Sequence, residues 1–279
     1  MVLGGIVLGS IGVFVQEAAQ PPLVTVWFRC AFGVLALFLW SAATGTVQDL
    51  RLRGTQFSVA CATGGFMVLN WIMFFAAISR TSIAVATVVF HIQPIWVIVF
   101  SALFLHEPVS RRQWIAAPVA LVGLALTTGL LDDLHSAHWN DRGYLLGLLL
   151  CVGASLSYTG VTLLTKRVQG IRPFSLSFWQ CVVGLLLLAW APWLLGWPQQ
   201  PRTWAWLVGL GAIHTGLAYV ILFAGMVRLT LGKIAVLQFV YPLAAVMFDY
   251  GVFGTTLSPV QLVGVALMGF AVWTIRKPG

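Results

Sequence analysis

The sequence predicts an all-α membrane protein: about ten transmembrane helices, built as two inverted five-helix repeats around a central cavity. Three observations predict it. The first is composition. Of 279 residues, 60% are hydrophobic and only 8% are Asp, Glu, Lys or Arg. A soluble domain carries about 25% charged residues, so most of this surface must face lipid. The second is a series of charge-free runs, at 54–79, 81–106, 143–165, 173–201, 203–227 and 250–275. Each is long enough for the ~20 residues of helix that cross a hydrocarbon core. Membrane β-strands would show short alternating runs instead. The third is a likeness between the two halves of the chain.

The spans are expected at 2–19, 22–43, 55–78, 81–105, 111–130, 143–166, 173–196, 203–227, 230–253 and 258–275. Met1 runs directly into an apolar span without a basic n-region or cleavage site, so the first span is expected to be retained as a helix. Pro21-Pro22 and the Thr44–Thr46 stretch punctuate the first two spans, and His106-Glu107-Pro108 ends the fourth. The longest loop divides the chain into a first repeat, 1–130, an outer linker, 131–142, and a second repeat, 143–279.

Loop charge gives the orientation. One side collects Arg51, Arg53, Arg111, Arg112, Lys166, Arg167, Arg172, Arg228, Lys233, Arg276 and Lys277, and the other only Arg80, Arg142 and Arg202. By the positive-inside rule both termini are expected in the cytoplasm. The net charge of +8 therefore reports topology, and no nucleic-acid partner is expected, because the cations sit in short loops between apolar spans. Many of the 13 tryptophans, among them Trp40, Trp114 and Trp273, fall near span ends, as an interfacial belt requires.

Metal and disulfide chemistry find little support. The four cysteines, Cys30, Cys61, Cys151 and Cys181, all lie inside apolar spans, where they read as small packing residues. Asp132, Asp133, His135, His138 and Asp141 in the long loop read as a solvated linker. No metal, cofactor or catalytic residue is expected. An intramembrane enzyme would need a nucleophile–base pair or a metal cluster, and neither occurs at helical spacing.

The repeat can be read residue by residue. Pro22, Cys30 and Gly33 align with Pro173, Cys181 and Gly184 at one constant offset. At a second constant offset Phe75-Ala76, Arg80, Pro94, Ser110 and Gln113 align with Phe223-Ala224, Arg228, Pro242, Ser258 and Gln261. Five helices per half is an odd number, so the halves insert with opposite topology. Secondary transporters often have this plan, with the substrate site near the midplane at the repeat interface.

With these features the chain resembles the EamA branch of the drug/metabolite transporter superfamily over essentially its whole length. The residues that carry the likeness are Pro21-Pro22 followed by Arg29, Pro94 within the fourth span, and Phe104-Leu105-His106-Glu107-Pro108 followed by Gln113. Thr255 stands where that family often repeats the glutamate, so any role of Glu107 is not duplicated. Within the branch the chain is similar to the YddG-type amino-acid exporters. The resemblance implies export of small metabolites through a central cavity across a bacterial inner membrane, with the fifth and tenth helices peripheral.

Polar residues within spans are the candidate site, since they are costly in lipid unless they face a cavity or each other. Gln238, Tyr241, Ala245 and Asp249 form one stripe, and Ser155, Tyr158, Thr159 and Thr162 another, by the 3- and 4-residue spacing of a helix face. Asn70 and Gln93 join Gln238, Tyr158 and Tyr241 as cavity candidates; the competing reading is helix–helix packing. His91 and His214 near the midplane could bind substrate, couple protons or simply pack. Trp71 and Trp179 lie deep enough to flank an apolar or aromatic substrate. Pro94 and Pro242 free the carbonyls of Phe90 and Gln238, and can act as hinges or ligands. Arg29 is expected in an ion pair with Glu17 or Asp249, or on a substrate carboxylate.

The function expected from these residues is secondary export of small solutes, amino acids foremost, including aromatic or other hydrophobic ones. The partners are that substrate and membrane lipid, and the sequence leaves the oligomeric state open, a monomer included. Alternatives are a drug or nucleotide-sugar carrier of the same fold, or an intramembrane enzyme, scaffold or channel. A nucleotide-sugar site would want several cavity cations, and only Arg29 is available. No Gly-x-x-x-x-Gly-Lys-Ser/Thr motif supplies ATP binding.

Overall fold

The computed structural model describes residues 1–130, 141–167, 170–254 and 257–275. Ten helical segments run through them. They are α1 Val2–Ala18, α2 Pro22–Ala43, α3 Thr55–Ile78, α4 Ile83–Leu105, α5 Arg111–Thr127, α6 Arg142–Arg167, α7 Pro173–Leu187, α8 Pro201–Arg228, α9 Leu231–Val252 and α10 Pro259–Thr274. Of these, α2, α3, α4, α6, α8 and α9 are both long and apolar enough to cross a bilayer. Leu35, Leu149, Leu186, Leu217 and Val263 stay exposed on their flanks, which only lipid makes favourable.

Local chemistry sets the ends. Proline occupies the first turn of α2, α7, α8 and α10, where its missing N–H would have no helical partner anyway. Ser110 with Gln113 and Ser258 with Gln261 form reciprocal capping boxes on α5 and α10, so the aligned pairs do the same work in both halves. The seventh helix is shorter than its expected span of 173–196. It stops at Leu187, and a separate turn, Ala191–Leu195, follows. Pro192 explains this: it has no N–H to offer the Leu188 carbonyl four residues back, and the Ala191 N–H takes that carbonyl in a tight turn at 2.9 Å. The expected linker and its Asp/His group fall mainly on 131–140, outside the described residues.

Three helices are interrupted near their middles and a fourth is widened. α1 bends at Ser10 between Val2–Gly9 and Ile11–Ala18. α4 breaks after Phe90 and resumes at Gln93, and α9 breaks after Leu237 and resumes at Val240. Pro94 and Pro242 thus stand in the first turn of a second helical segment, where proline is tolerated. In α8, residues Leu210–Leu217 adopt π-helical turns, a local widening often found at functional sites.

The halves meet around a pseudo-twofold axis, and reciprocal contacts mark it. A Cβ on Gly184 would fall 2.6 Å from Cys30 Sγ, and one on Gly33 would fall 3.2 Å from Cys181 Sγ. Since Cys30 aligns with Cys181 and Gly33 with Gly184, α2 and α7 pack on each other through the same surface. The broken helices α4 and α9 also face across this axis, with His91 6.1 Å from its own counterpart Phe239 between ring centroids.

The two ends of the bundle differ. On the side of the basic loops, Gln93–Phe100 of α4 packs against Leu231–Leu237 of α9, whereas the matching segments Ile83–Phe90 and Val240–Phe253 do not pack to comparable extent. Two cross-connections lie on the packed side. Glu107 accepts the Leu231 backbone N–H at 3.1 Å, and Lys166 Nζ donates to the carbonyls of Leu229 at 2.6 Å and Val227 at 3.3 Å.

Candidate functional site

The interior polar groups gather where α2, α3, α6, α8 and α9 approach the axis, and Arg29 is their centre. It is 8% exposed. Its Nε donates to Thr215 Oγ1 at 2.5 Å. Its guanidinium carbon stands 5.3 Å from the Trp71 ring centroid and 5.1 Å from that of Tyr219, in range for cation–π attraction. The phenols of Tyr158, Tyr219 and Tyr241 all lie within electrostatic reach of this cation. The result is a buried guanidinium in a box of aromatic rings and hydroxyls.

The expected partner acids are elsewhere, which corrects the ion pair among Glu17, Arg29 and Asp249. Glu17 pairs with Arg202 at 3.0 Å, because both sit at the outer edges of adjoining helices, α1 and α8. Asp249 is exposed, far along α9 towards the open end. Among the described residues the only ion pairs are Glu17–Arg202 and Asp49–Arg172. Arg29 keeps its five-donor guanidinium without a carboxylate.

Two residues that hold this cation, Thr215 and Tyr219, have no place among the sequence candidates. Their spacing, four apart, offered a helix-face signal. The π turn obscured it, since it rotates Thr215 off the face that a regular α-helix would give. That turn also lets Thr215 Oγ1 reach the Leu210 carbonyl, five residues back, at 3.2 Å.

The remaining candidates divide. Tyr158, Tyr241, Trp71 and Gln238 are half-buried beside the axis. His91 stacks on Tyr241 with centroids 6.3 Å apart and planes 21° from parallel, while its Nδ1 meets the Thr87 carbonyl at 2.7 Å. His214 is fully buried, its Nε2 2.9 Å from Ser10 Oγ at the bend of α1. Phe90, at the break of α4, packs on Tyr158 at 6.1 Å. Both amide atoms of Gln238 are buried without a hydrogen-bond partner.

Other candidates face helix partners. Asn70 Nδ2 donates to the Ala154 carbonyl at 2.9 Å, and Gln93 Nε2 to Thr162 Oγ1 at 3.3 Å. Both ties join a helix of the first half to α6, the packing use of an interior amide. Trp179 sits apart, with Nε1 donating to the Leu50 carbonyl at 2.8 Å. Pro94 and Pro242 are buried at the breaks. The Gln238 carbonyl is filled by the Tyr241 N–H at 3.3 Å. The expectation of two free carbonyls therefore fails at Gln238, because the chain turns tightly enough there for an i to i+3 bond.

The arrangement can bind an anion next to apolar rings without metal ligands of its own. No group of three or more His, Cys, Asp or Glu gathers among the described residues.

Comparison with known proteins agrees with this plan. A solved crystal structure superposes with a TM-score of 0.84 at 18% identity, over 99% of this chain and 96% of its own; at that identity the likeness is one of fold. An uncharacterized transporter, YxxF, of Bacillus subtilis is 26% identical over 100% of this chain and 89% of its own. A pseudopaline exporter of Pseudomonas aeruginosa is 26% identical over 76% and 72%, and the PecM protein of Dickeya dadantii 29% over 71% and 66%. Residues 1–129 and 145–276 match the EamA-like transporter family, and the chain belongs to that family.

Proposed function

We propose that this member of the EamA-like transporter family is a secondary exporter of small carboxylate-bearing metabolites, amino acids foremost, with Arg29 as the carboxylate anchor. One observation carries the reading: a buried guanidinium on the axis between the halves, with no acid among the described residues to neutralise it. An uncompensated charge in that setting costs several kcal/mol, and a substrate carboxylate would offset it through bidentate N–H···O bonds. Trp71, Tyr158, Tyr219 and Tyr241 then surround the rest of the molecule, which suits apolar or aromatic side chains. The name of the Pseudomonas aeruginosa relative, an exporter, supports the direction of transport.

In this reading both termini face the cytoplasm across a bacterial inner membrane, which the bias of the loop cations supports. The packed end of α4 and α9 is then the cytoplasmic one, and the bundle is open outwards. Transport proceeds as the halves of these broken helices swap packing about Pro94 and Pro242, around a fixed site. A nucleotide-sugar carrier would need further buried cations, and the site offers Arg29.

Counterflow in proteoliposomes tests the reading. A panel of radiolabelled amino acids should include at least one that exchanges with saturation, and Arg29→Gln should lower that exchange at least a hundredfold while the protein still inserts. Linear flux would identify a channel, and no flux across the panel would sink the amino-acid reading.

A further inference from the structure

We propose that Gln180 is a second polar anchor of the substrate site, taking the amine of a zwitterion whose carboxylate Arg29 holds. This rests on the reading above and deepens it. Gln180 is the repeat counterpart of Arg29: each lies seven residues after the proline that opens its helix, Pro22 and Pro173, and one residue before the aligned cysteine. Trp71 and Tyr219 are counterparts too, each four residues before the aligned Phe75 and Phe223. Arg29 stands almost equally far from these two rings, at 5.3 and 5.1 Å. A pair of counterparts flanked equally by one residue straddles the pseudo-twofold axis. The same operation therefore carries Arg29 to Gln180 on the opposite face of that ring pair.

Local packing follows the symmetry and then departs from it at one atom group. One turn beyond Arg29, Gly33 packs on Cys181 and on Thr215. One turn beyond Gln180, Gly184 packs on Cys30 and on Val68. Val68, the counterpart of Gly216, lies on Gly184 where Thr215 lies on Gly33. Arg29 finds a hydroxyl partner in Thr215, and the Gln180 amide finds none.

The consequence is visible at the side chain. Gln180 is 3% exposed, and both its Nε2 and its Oε1 are buried without a partner. A primary amide offers two donors and an acceptor, and leaving such groups unmade in an interior is costly. Over nine-tenths of buried polar groups are satisfied, so an exception asks for a cause. A ligand group supplies one. At ~1.5 Å per residue, Arg29 and Gln180 stand at similar depths from opposite membrane faces. They bracket the aromatic pair from its two sides. A zwitterion lying across that pair presents its carboxylate to the guanidinium and its ammonium N–H groups to Gln180 Oε1. No covalent step is involved.

The test uses the full chain in proteoliposomes, with phenylalanine as substrate and its deaminated analogue 3-phenylpropanoate as competitor. Gln180→Leu should raise the KM for phenylalanine about tenfold or more, the loss of a hydrogen bond to a charged group. It should leave inhibition by 3-phenylpropanoate unchanged, and it should not lower the melting temperature, since it removes a partnerless amide. Arg29→Gln should weaken both ligands. An unchanged KM in Gln180→Leu overturns the inference, as does equal loss for both ligands or a variant that fails to fold. If the wild-type protein neither exchanges phenylalanine nor is inhibited by its analogue, the amino-acid reading fails first and this assignment falls with it.

Discussion

The two ends of α4 and α9 are built from the same repeated segment, yet one end is shut and the other parted. At the basic end the half-helices pack together. There Glu107 caps the first N–H of α9, and Lys166 binds the carbonyls at the end of α8. A crevice at this end, lined by Val59, Thr165, Ile171, Phe223 and Val227, holds only ≈ 10 Å³. At the other end the residue aligned with Glu107 is Thr255, which has no carboxylate to reach across. There α5 and α10 make the close approach instead: a Cβ on Gly123 would fall 2.7 Å from the Gly264 carbonyl oxygen. The lesson is that two related scaffolds differ at their ends in one acidic side chain that reaches across, Glu107. The difference between the ends is a free-energy gap, and only small increments are needed to move such a gap.

The comparison can be broken or sharpened in order of size. Gly264→Val should be the most damaging. Its new side chain would meet the Gly123 carbonyl and Thr127 on the facing helix, and overpacking against backbone costs about 1–3 kcal/mol or more. A fall of several degrees in melting temperature, or loss of inserted protein, is expected; normal stability would show that α5 and α10 are not what holds the parted end. Glu107→Ala comes next. It removes a charge-assisted bond to a backbone N–H, about 1.5–3 kcal/mol, and should open the shut end. In a cysteine-free background, a single cysteine at Thr165, buried in that crevice, should react with a maleimide about tenfold faster than in its Glu107 parent. No change in labelling would remove Glu107 from the comparison. Lys166→Met should act in the same direction but by only about twofold in the same assay, because its two carbonyl partners lie at a rim where water can replace it. Gly269→Ala is the control, since a Cβ there meets nothing within 4 Å. It should leave stability within about 0.5 kcal/mol of the parent.

Much of the architecture was legible without coordinates. Hydropathy placed ten spans, and two aligned prolines located the helix breaks to within a few residues. These properties are local: a run of apolar side chains or a missing N–H acts wherever the chain goes. The site was legible only in part. Trp71, Tyr158, Tyr241 and Gln238 could be picked from their depth and spacing. Asn70 and Gln93 could be picked the same way, yet they tie α3 and α4 to α6, because depth does not say which neighbour a face meets. Thr215 and Tyr219 were hidden by a π turn that no periodicity of 3.6 residues describes.

Arg29 shows the division most clearly. The sequence by itself determined that a cation would be buried in α2, because it sits seven residues inside a helix whose surroundings are apolar. What accompanies it was a matter of tertiary structure. Glu17 is drawn to Arg202 at the rim, where water softens the cost of both charges, and Asp249 points to the open end. The guanidinium is left against two rings that are symmetry counterparts, a neighbourhood set by how two inverted halves pack about a common axis, and residues 190 positions apart meet there only after folding.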